Sequence, residues 1–159
     1  DIGTRRGHSA ASLAFNENNM VYTYNNVQEP IENDVFNKLD NIKAFVETEQ
    51  DRTQDGKSSS TPLGNILDSG EHRENILKSD LIFCDVDPHS GEHETQLFNF
   101  LSDNDYKGIT IWDDIEDPLR EWWADKEGNT DVTCYNLGKY SWGAGTGVIC
   151  FGEKELILK

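Results

Sequence analysis

Short strand-like segments alternate along this chain with segments of helical spacing, and this alternation limits the fold more than any other feature. Four segments have the apolar, β-branched and aromatic composition of strands, namely residues 20–24, 42–46, 81–86 and 108–112. Helical patterns begin near Ser9 and cover residues 30–39, 67–78, 92–101 and 118–126. Strands joined by helices run parallel through right-handed crossovers. We therefore predict an α/β fold with a Rossmann-like, mostly parallel sheet and helices on both faces.

The two ends of the chain modify this sheet. Strand patterns at residues 131–137 and 147–151 have a glycine-rich segment and no helix between them, which predicts a C-terminal antiparallel hairpin. At the other end, Asp1 and Ile2 are preceded by no apolar segment, so we expect the first strand to be truncated. The length and the lack of repeats predict a single domain over residues 1–159.

The charge of the chain excludes several kinds of partner. Thirty Asp and Glu residues against fourteen Lys and Arg give a net charge of −16, which repels the phosphate backbone of nucleic acids. Such a surface is typical of a soluble acidic protein, and the functional alternative is attraction of cations to clustered carboxylates. The three cysteines form no CxxC pair, and no apolar run approaches eighteen residues. We predict a cytoplasmic protein without nucleic-acid or membrane partners, and leave a homo-oligomer open.

Acidic side chains follow the third and fourth predicted strands where each ends. Asp85 and Asp87 belong to one strand end, and Asp113 and Asp114 to the next. Because neighbouring parallel strands lie about 4.8 Å apart, Asp85, Asp113 and Asp114 can converge on one cation. Oxygen ligands favour Mg²⁺ or another hard divalent cation. The alternative is helix capping by Asp87 or Asp114, which uses one carboxylate per turn.

Two glycines stand in the first predicted strand-to-helix turn. Gly3 and Gly7 allow the backbone to approach a ligand closely, and the helix that Ser9 is expected to cap offers N–H groups to an anion. The G-x-G-x-x-G spacing of dinucleotide-binding turns is absent. A plain tight turn is the alternative interpretation.

Three motifs in this order resemble those of class I S-adenosylmethionine-dependent methyltransferases. Asp1-Ile2-Gly3-Thr4-x-x-Gly7-x-Ser9 resembles the first motif of that family, especially in the catechol and macrolide-sugar O-methyltransferase branch. Residues 81–87 are similar to the "FIDAD" strand of the branch, and residues 108–114 to its glycine, strand and "DD/DN" motif. The closing hairpin is similar to the antiparallel seventh strand of the family.

The resemblance implies S-adenosylmethionine as the cofactor. The cofactor-binding residues that it implies are Asp1, Gly3, Gly7, Ser9, Asn25, Glu47 and Asp85. The family usually has an acidic residue where this chain has Asn25, and an amide accepts a ribose hydroxyl less strongly than a carboxylate does. Glu47 is expected near the adenine.

The resemblance also implies a catalytic arrangement. Asp85, Asp113 and Asp114 would hold Mg²⁺, which would lower the pKa of a substrate hydroxyl and orient it toward the methyl group. Catechol-type enzymes have a lysine base where this chain has Pro88. We therefore select His89 as the candidate general base, with a capping or exposed imidazole as the alternative.

These observations predict a metal-assisted O-methyltransferase that acts on a small hydroxylated molecule. One alternative is an inactive or incomplete methyltransferase-like binding module, which the Asn25 and Pro88 departures favour. Another is a metal-dependent nucleotide-sugar glycosyltransferase that uses the D-x-D segment Asp85-Val86-Asp87.

Overall fold

The structure is a computed structural model that describes residues 1–3, 7–25, 38–46, 62–86, 88–138 and 143–157. Most of the predicted helix at residues 30–39 lies outside the described residues, as do Glu47 and Asp87. The chain divides into two compact units, Asp1–Arg73 and Glu74–Lys159, and each is described by itself. The prediction of a single domain over residues 1–159 stays a prediction.

The first unit contains a parallel strand pair with a helix packed on it. Its elements are α1 (His8–Ala14), β1 (Val21–Asn25), β2 (Ile42–Val46) and α2 (Pro62–Asp68), and α3 (Gly70–Lys78) contains the boundary between the units. β1 and β2 pair in parallel, with Val21 opposite Ile42. Ile2 forms a parallel bridge with Tyr24, so the opening residues run beside β1 in the same direction.

Small side chains bring α1 close to this strand pair. Ala10, Ala11 and Ala14 are buried on one face of the helix and form a cluster with Val21. Alanine favours helix formation and leaves little bulk between the helix backbone and the strand. The close packing of α1 fixes where Gly7, its N-cap residue, lies relative to β1.

The second unit is a four-stranded sheet with two helices. Its elements are β3 (Leu81–Cys84), α4 (Glu92–Asp103), β4 (Ile109–Asp113), α5 (Arg120–Glu127), β5 (Val132–Asn136) and β6 (Thr146–Phe151). The strand order is β3-β4-β6-β5. β3 and β4 are parallel, whereas β6 is antiparallel to both β4 and β5. Three of the four strands therefore run the same way, which confirms the Rossmann-like α/β fold with its C-terminal hairpin.

The core of the second unit lies between this sheet and α4. Leu97, Phe98 and Leu101 are buried, as the helical spacing predicts. They share the core with Trp112 of β4 and Ile149 of β6, both fully buried. Among the described residues, no helix combines the length and apolar character needed to cross a membrane.

Three local predictions were wrong. The predicted helix at residues 67–78 is divided between two helices, α2 and α3, because the chain leaves the helical conformation at Ser69, and Ser69 and Gly70 both have lower helix propensity than alanine. The continuous apolar run at residues 81–86 predicts a strand buried on both faces, but Leu81 of β3 is 37% exposed. Ser9 lies inside the first turn of α1 and does not cap it; the N-cap is Gly7, with a left-handed φ of 84°.

Candidate functional site

The sheet of the second unit brings the predicted strand-end acids to one edge. In the parallel register of β3 and β4, Cys84 lies opposite Trp112. Asp85 and Asp113 are the next residues of the two strands and leave the sheet at the same edge. The parallel register therefore brings Asp85 and Asp113 to the same end of the two strands, and their predicted role in a site stays a prediction. The expectation that Asp1 shares the edge stays a prediction.

His89 lies among the acids of this edge. Its Nε2 atom is 3.2 Å from Asp114 Oδ2 and 3.7 Å from Asp85 Oδ1. On the other side of the ring, Nδ1 is 3.9 Å from Glu94 Oε1. The His89 side chain is only 15% exposed. We call His89, Asp85, Asp114 and Glu94 the His89 cluster.

Left-handed backbone conformations at two residues shape this cluster. His89 has a φ of 46° and Asp114 a φ of 59°, in the region that His and Asp enter more often than most residues do. The His89 N–H donates to the Val86 carbonyl at 3.2 Å, and the Asp114 carbonyl accepts the Leu119 N–H at 3.2 Å. Two tight turns thus direct a histidine and an aspartate from different loops toward each other.

Glu94 is the member of the cluster that the sequence analysis missed. It lies in the first turn of α4 and is only 2% exposed. Within the described part of the chain, neither carboxylate oxygen has a hydrogen-bond partner. Burial raises the pKa of the Glu94 carboxyl, and the nearby backbone amide of Glu94 and the His89 ring offset part of this rise. The helical spacing of Glu94 with Leu97, Phe98 and Leu101 places it on the buried stripe and was the available signal.

The structure does not support the predicted magnesium site. No group of three or more His, Cys, Asp and Glu side chains within the described ranges is arranged to hold a metal ion. Asp113 is the last residue of β4, whereas Asp114 follows the strand and has a left-handed φ of 59°. Asp85 and Asp114 instead face the His89 imidazole. Both acids have a side-chain partner that the chain itself supplies.

A cavity of about 430 Å³ adjoins the loop that carries His89. Ser90, which follows His89 in the chain, lines it together with Trp122 and residues 116–121. The Trp122 indole N–H donates to Thr95 Oγ1 at 3.1 Å, which fixes the ring that forms one wall. Trp123, by contrast, is a core residue only 3% exposed.

The first unit places the glycine turn beside the end of β1. Gly3 and Gly7 have φ values of 105° and 84°, which glycine adopts without strain. The Gly3 N–H donates to the Tyr24 carbonyl at 2.9 Å, so Gly3 lies at the edge where Asn25 ends β1. Gly3 and Asn25, two of the predicted cofactor-binding residues, are therefore close together.

The Asp1 carboxylate is fixed in the same region. It accepts a hydrogen bond from the Thr23 hydroxyl, with 2.5 Å between Asp1 Oδ2 and Thr23 Oγ1. Thr23 is fully buried and is a second residue that the sequence analysis missed. Ser9, another predicted cofactor residue, is partly buried in the first turn of α1. Glu47 lies outside the described residues, so its predicted place near the adenine is not described.

Comparison with known proteins identifies the fold. No protein-family model matches this sequence, and no curated protein matches it. Among solved structures, the crystal structure of the SAH-bound methyltransferase PaMTH1 from Podospora anserina is similar, with a TM-score of 0.58 and 14% identity. The likeness covers 96% of this chain and 70% of that chain. The chain therefore has a class I methyltransferase fold.

Proposed function

We propose that this chain binds S-adenosylmethionine and transfers its methyl group to a hydroxyl of a small molecule. The observation that carries the proposal is the fold, because the likeness to an SAH-bound methyltransferase extends over nearly the whole chain. The glycine turn of the first unit supports it. Gly3 and Gly7 have no side chains, so the backbone at these two positions can approach the methionine part of the cofactor.

The cofactor supplies a methyl group on a positively charged sulfur. In the transfer, the sulfur–carbon bond breaks, a carbon–oxygen bond forms, and the hydroxyl of the acceptor must lose its proton. We assign that proton to the imidazole of His89, whose ring lies beside the strand-edge acids. Asp114, at 3.2 Å, stabilises the imidazolium that results. The cavity beside Ser90 and Trp122 is the proposed place for the acceptor.

Cofactor binding is the first test. Calorimetry with the 159-residue chain is expected to show one site for S-adenosylmethionine. Asn25→Asp should bind it about tenfold more tightly, since a carboxylate is a stronger acceptor for ribose hydroxyls than an amide. Asn18→Asp, an exposed exchange of the same chemistry, is the control and should leave the affinity unchanged. If the native chain gives no binding heat, the proposal is wrong.

The catalytic role of His89 needs a separate measurement. His89→Gln is expected to lower kcat about a hundredfold while the affinity for S-adenosylmethionine stays the same, because the base acts on the acceptor alone. His93→Gln is the matched control and should retain most of the activity. Loss of activity in His93→Gln with normal activity in His89→Gln would show that His93, and not His89, is the general base.

Binding calorimetry and a turnover assay together distinguish the two alternative functions. Cofactor binding without turnover on any hydroxylated acceptor would favour the binding module. Binding of a UDP-sugar with Mn²⁺ in place of S-adenosylmethionine would favour the glycosyltransferase, whose D-x-D segment includes Asp87, outside the described residues.

A further inference from the structure

Two carboxylates of the His89 cluster face one nitrogen of the imidazole. His89 Nε2 lies within 3.2 Å of Asp114 Oδ2 and within 3.7 Å of Asp85 Oδ1. A hard divalent cation shared by both acids would need to lie at about 2.0–2.6 Å from their oxygens. A cation at this distance from both carboxylates would lie where Nε2 of His89 already approaches Asp85 Oδ1 and Asp114 Oδ2. The ring and a metal ion therefore compete for the same two acids.

The ring is held in this position from several directions. The His89 N–H bonds to the Val86 carbonyl, and the left-handed φ of His89 fixes the direction in which its side chain leaves the turn. Behind the ring, the carboxylate of Glu94 lies 3.9 Å from Nδ1 and is almost completely buried. An imidazole enclosed in this way, with 15% of its side chain exposed, does not behave as a mobile surface histidine.

Charge explains why a histidine suits the position. Asp85 and Asp114 both approach Nε2 of His89, and two like charges on one group repel each other unless a positive charge or a hydrogen-bond donor offsets them. A divalent metal ion supplies the positive charge in many oxygen-rich sites. An imidazole supplies a hydrogen-bond donor through its ring N–H.

We propose that the His89 imidazole takes the place of a divalent metal ion between Asp85 and Asp114, so that methyl transfer by this chain requires no bound metal. The inference rests on the proposed function for its catalytic meaning. Its structural part, the competition between the ring and a cation, applies whether or not the chain transfers methyl groups.

Manganese binding tests the structural part directly. Mn²⁺ alone is titrated into the full chain, and free Mn²⁺ is measured by electron paramagnetic resonance. The native chain is expected to bind Mn²⁺ weakly at this edge. His89→Gly, which tolerates the left-handed backbone, removes the ring and should bind Mn²⁺ at least about tenfold more tightly. Adding Asp114→Asn to His89→Gly should abolish the gain.

Two further variants separate charge from general perturbation. His89→Lys restores a positive charge between the acids and should bind Mn²⁺ as weakly as the native chain. His8→Gly removes an exposed histidine from the first unit and should also leave Mn²⁺ binding unchanged. Thermal unfolding of each variant shows whether it is folded. If His89→Gly is folded and gains no affinity, the proposal is overturned.

Turnover with and without chelator tests the catalytic part. The native chain should keep its kcat in EDTA, and added Mg²⁺ should change kcat less than twofold. Tight stoichiometric binding of Mn²⁺ by the native chain, lost in Asp114→Asn, would overturn the inference while leaving cofactor binding intact. Failure to bind S-adenosylmethionine would instead overturn the proposed function, and the Mn²⁺ comparison would still be interpretable.

Discussion

Glu94 shows how one residue can carry an unfavourable charge inside a stable fold. Its carboxylate is buried in the first turn of α4, and Nδ1 of His89 lies 3.9 Å from its Oε1 atom. Removing a carboxylate from water favours its neutral form, and burial accordingly raises the pKa of Glu94. The ionised form is the one that destabilises the folded chain.

The sign of the pH dependence follows from this shift. Because the pKa of Glu94 is higher in the folded chain than in the unfolded chain, protonation favours the fold. The contribution is fully present below the unfolded pKa of about 4.5 and is lost as the pH rises through the folded pKa. Glu94→Gln is therefore expected to stabilise the chain by about 1 kcal/mol at pH 7 and to lose this advantage toward pH 4.

Chemical denaturation at several pH values measures this difference. Glu92→Gln is the matched control, since Glu92 is an exposed acid in the same turn and should change stability by less than about 0.5 kcal/mol. A Glu94→Gln variant that is less stable than the native chain at pH 7 would mean that the carboxylate is held by favourable interactions.

At the scale of elements, the contact between α5 and β6 depends on a residue without a side chain. A Cβ atom added at Gly147 of β6 would lie 2.5 Å from the Trp123 ring of α5. Trp123 is only 3% exposed and has no room to move aside without disturbing the core. The glycine thus allows α5 to pack directly on the strand that lies between β4 and β5.

Gly147→Ala is expected to destabilise the chain by about 2 kcal/mol, the usual cost of inserting a methyl group into a filled core. Gly70→Ala provides the control, because a Cβ atom there would meet nothing within 4 Å and alanine favours a helix. Urea denaturation of the two variants compares them. Equal urea midpoints for the two variants would show that the Trp123 ring can move aside without destabilising the chain.

The elements of this fold could be predicted from the sequence more fully than the cluster they support. β3 and β4 are joined by a helix and β5 and β6 by a glycine-rich segment, so their parallel and antiparallel pairing follows from general rules for crossovers and hairpins. The common edge of Asp85 and Asp113 follows from the same rules. These predictions need only the periodicity of each segment and the chain order.

The His89 cluster could not be predicted in this way. The left-handed conformations of His89 and Asp114 are set by hydrogen bonds within their own turns, and local sequence does not specify them. The strand-edge acids alone therefore predict an external cation, whereas the structure pairs Asp85 and Asp114 with an imidazole of the same chain. Glu94 was within reach of prediction, because its spacing with Leu97 and Leu101 marks the buried stripe of α4.

At the scale of the whole molecule, the dominant property is a net charge of −16 on 159 residues. Most of the acids whose surroundings are described lie on exposed positions, where they repel one another through solvent. Such repulsion favours expanded states and is screened within about 10 Å at 0.1 M salt. The stability of this chain should therefore depend on ionic strength more than that of a neutral domain of equal size.

Raising NaCl from 20 mM to 500 mM at pH 7 is expected to increase the Tm by several degrees, since screening removes repulsion from the folded state. The same change near pH 4, where many carboxyls are protonated, should have a much smaller effect because the charge that salt screens is largely gone. Calorimetric scans at both pH values provide the comparison, with sucrose of equal osmolality as the control for general solvent effects. A Tm at pH 7 that is unchanged by salt would show that the acids are paired locally, as Asp85 and Asp114 are with His89, and that long-range repulsion does not govern the stability of the molecule.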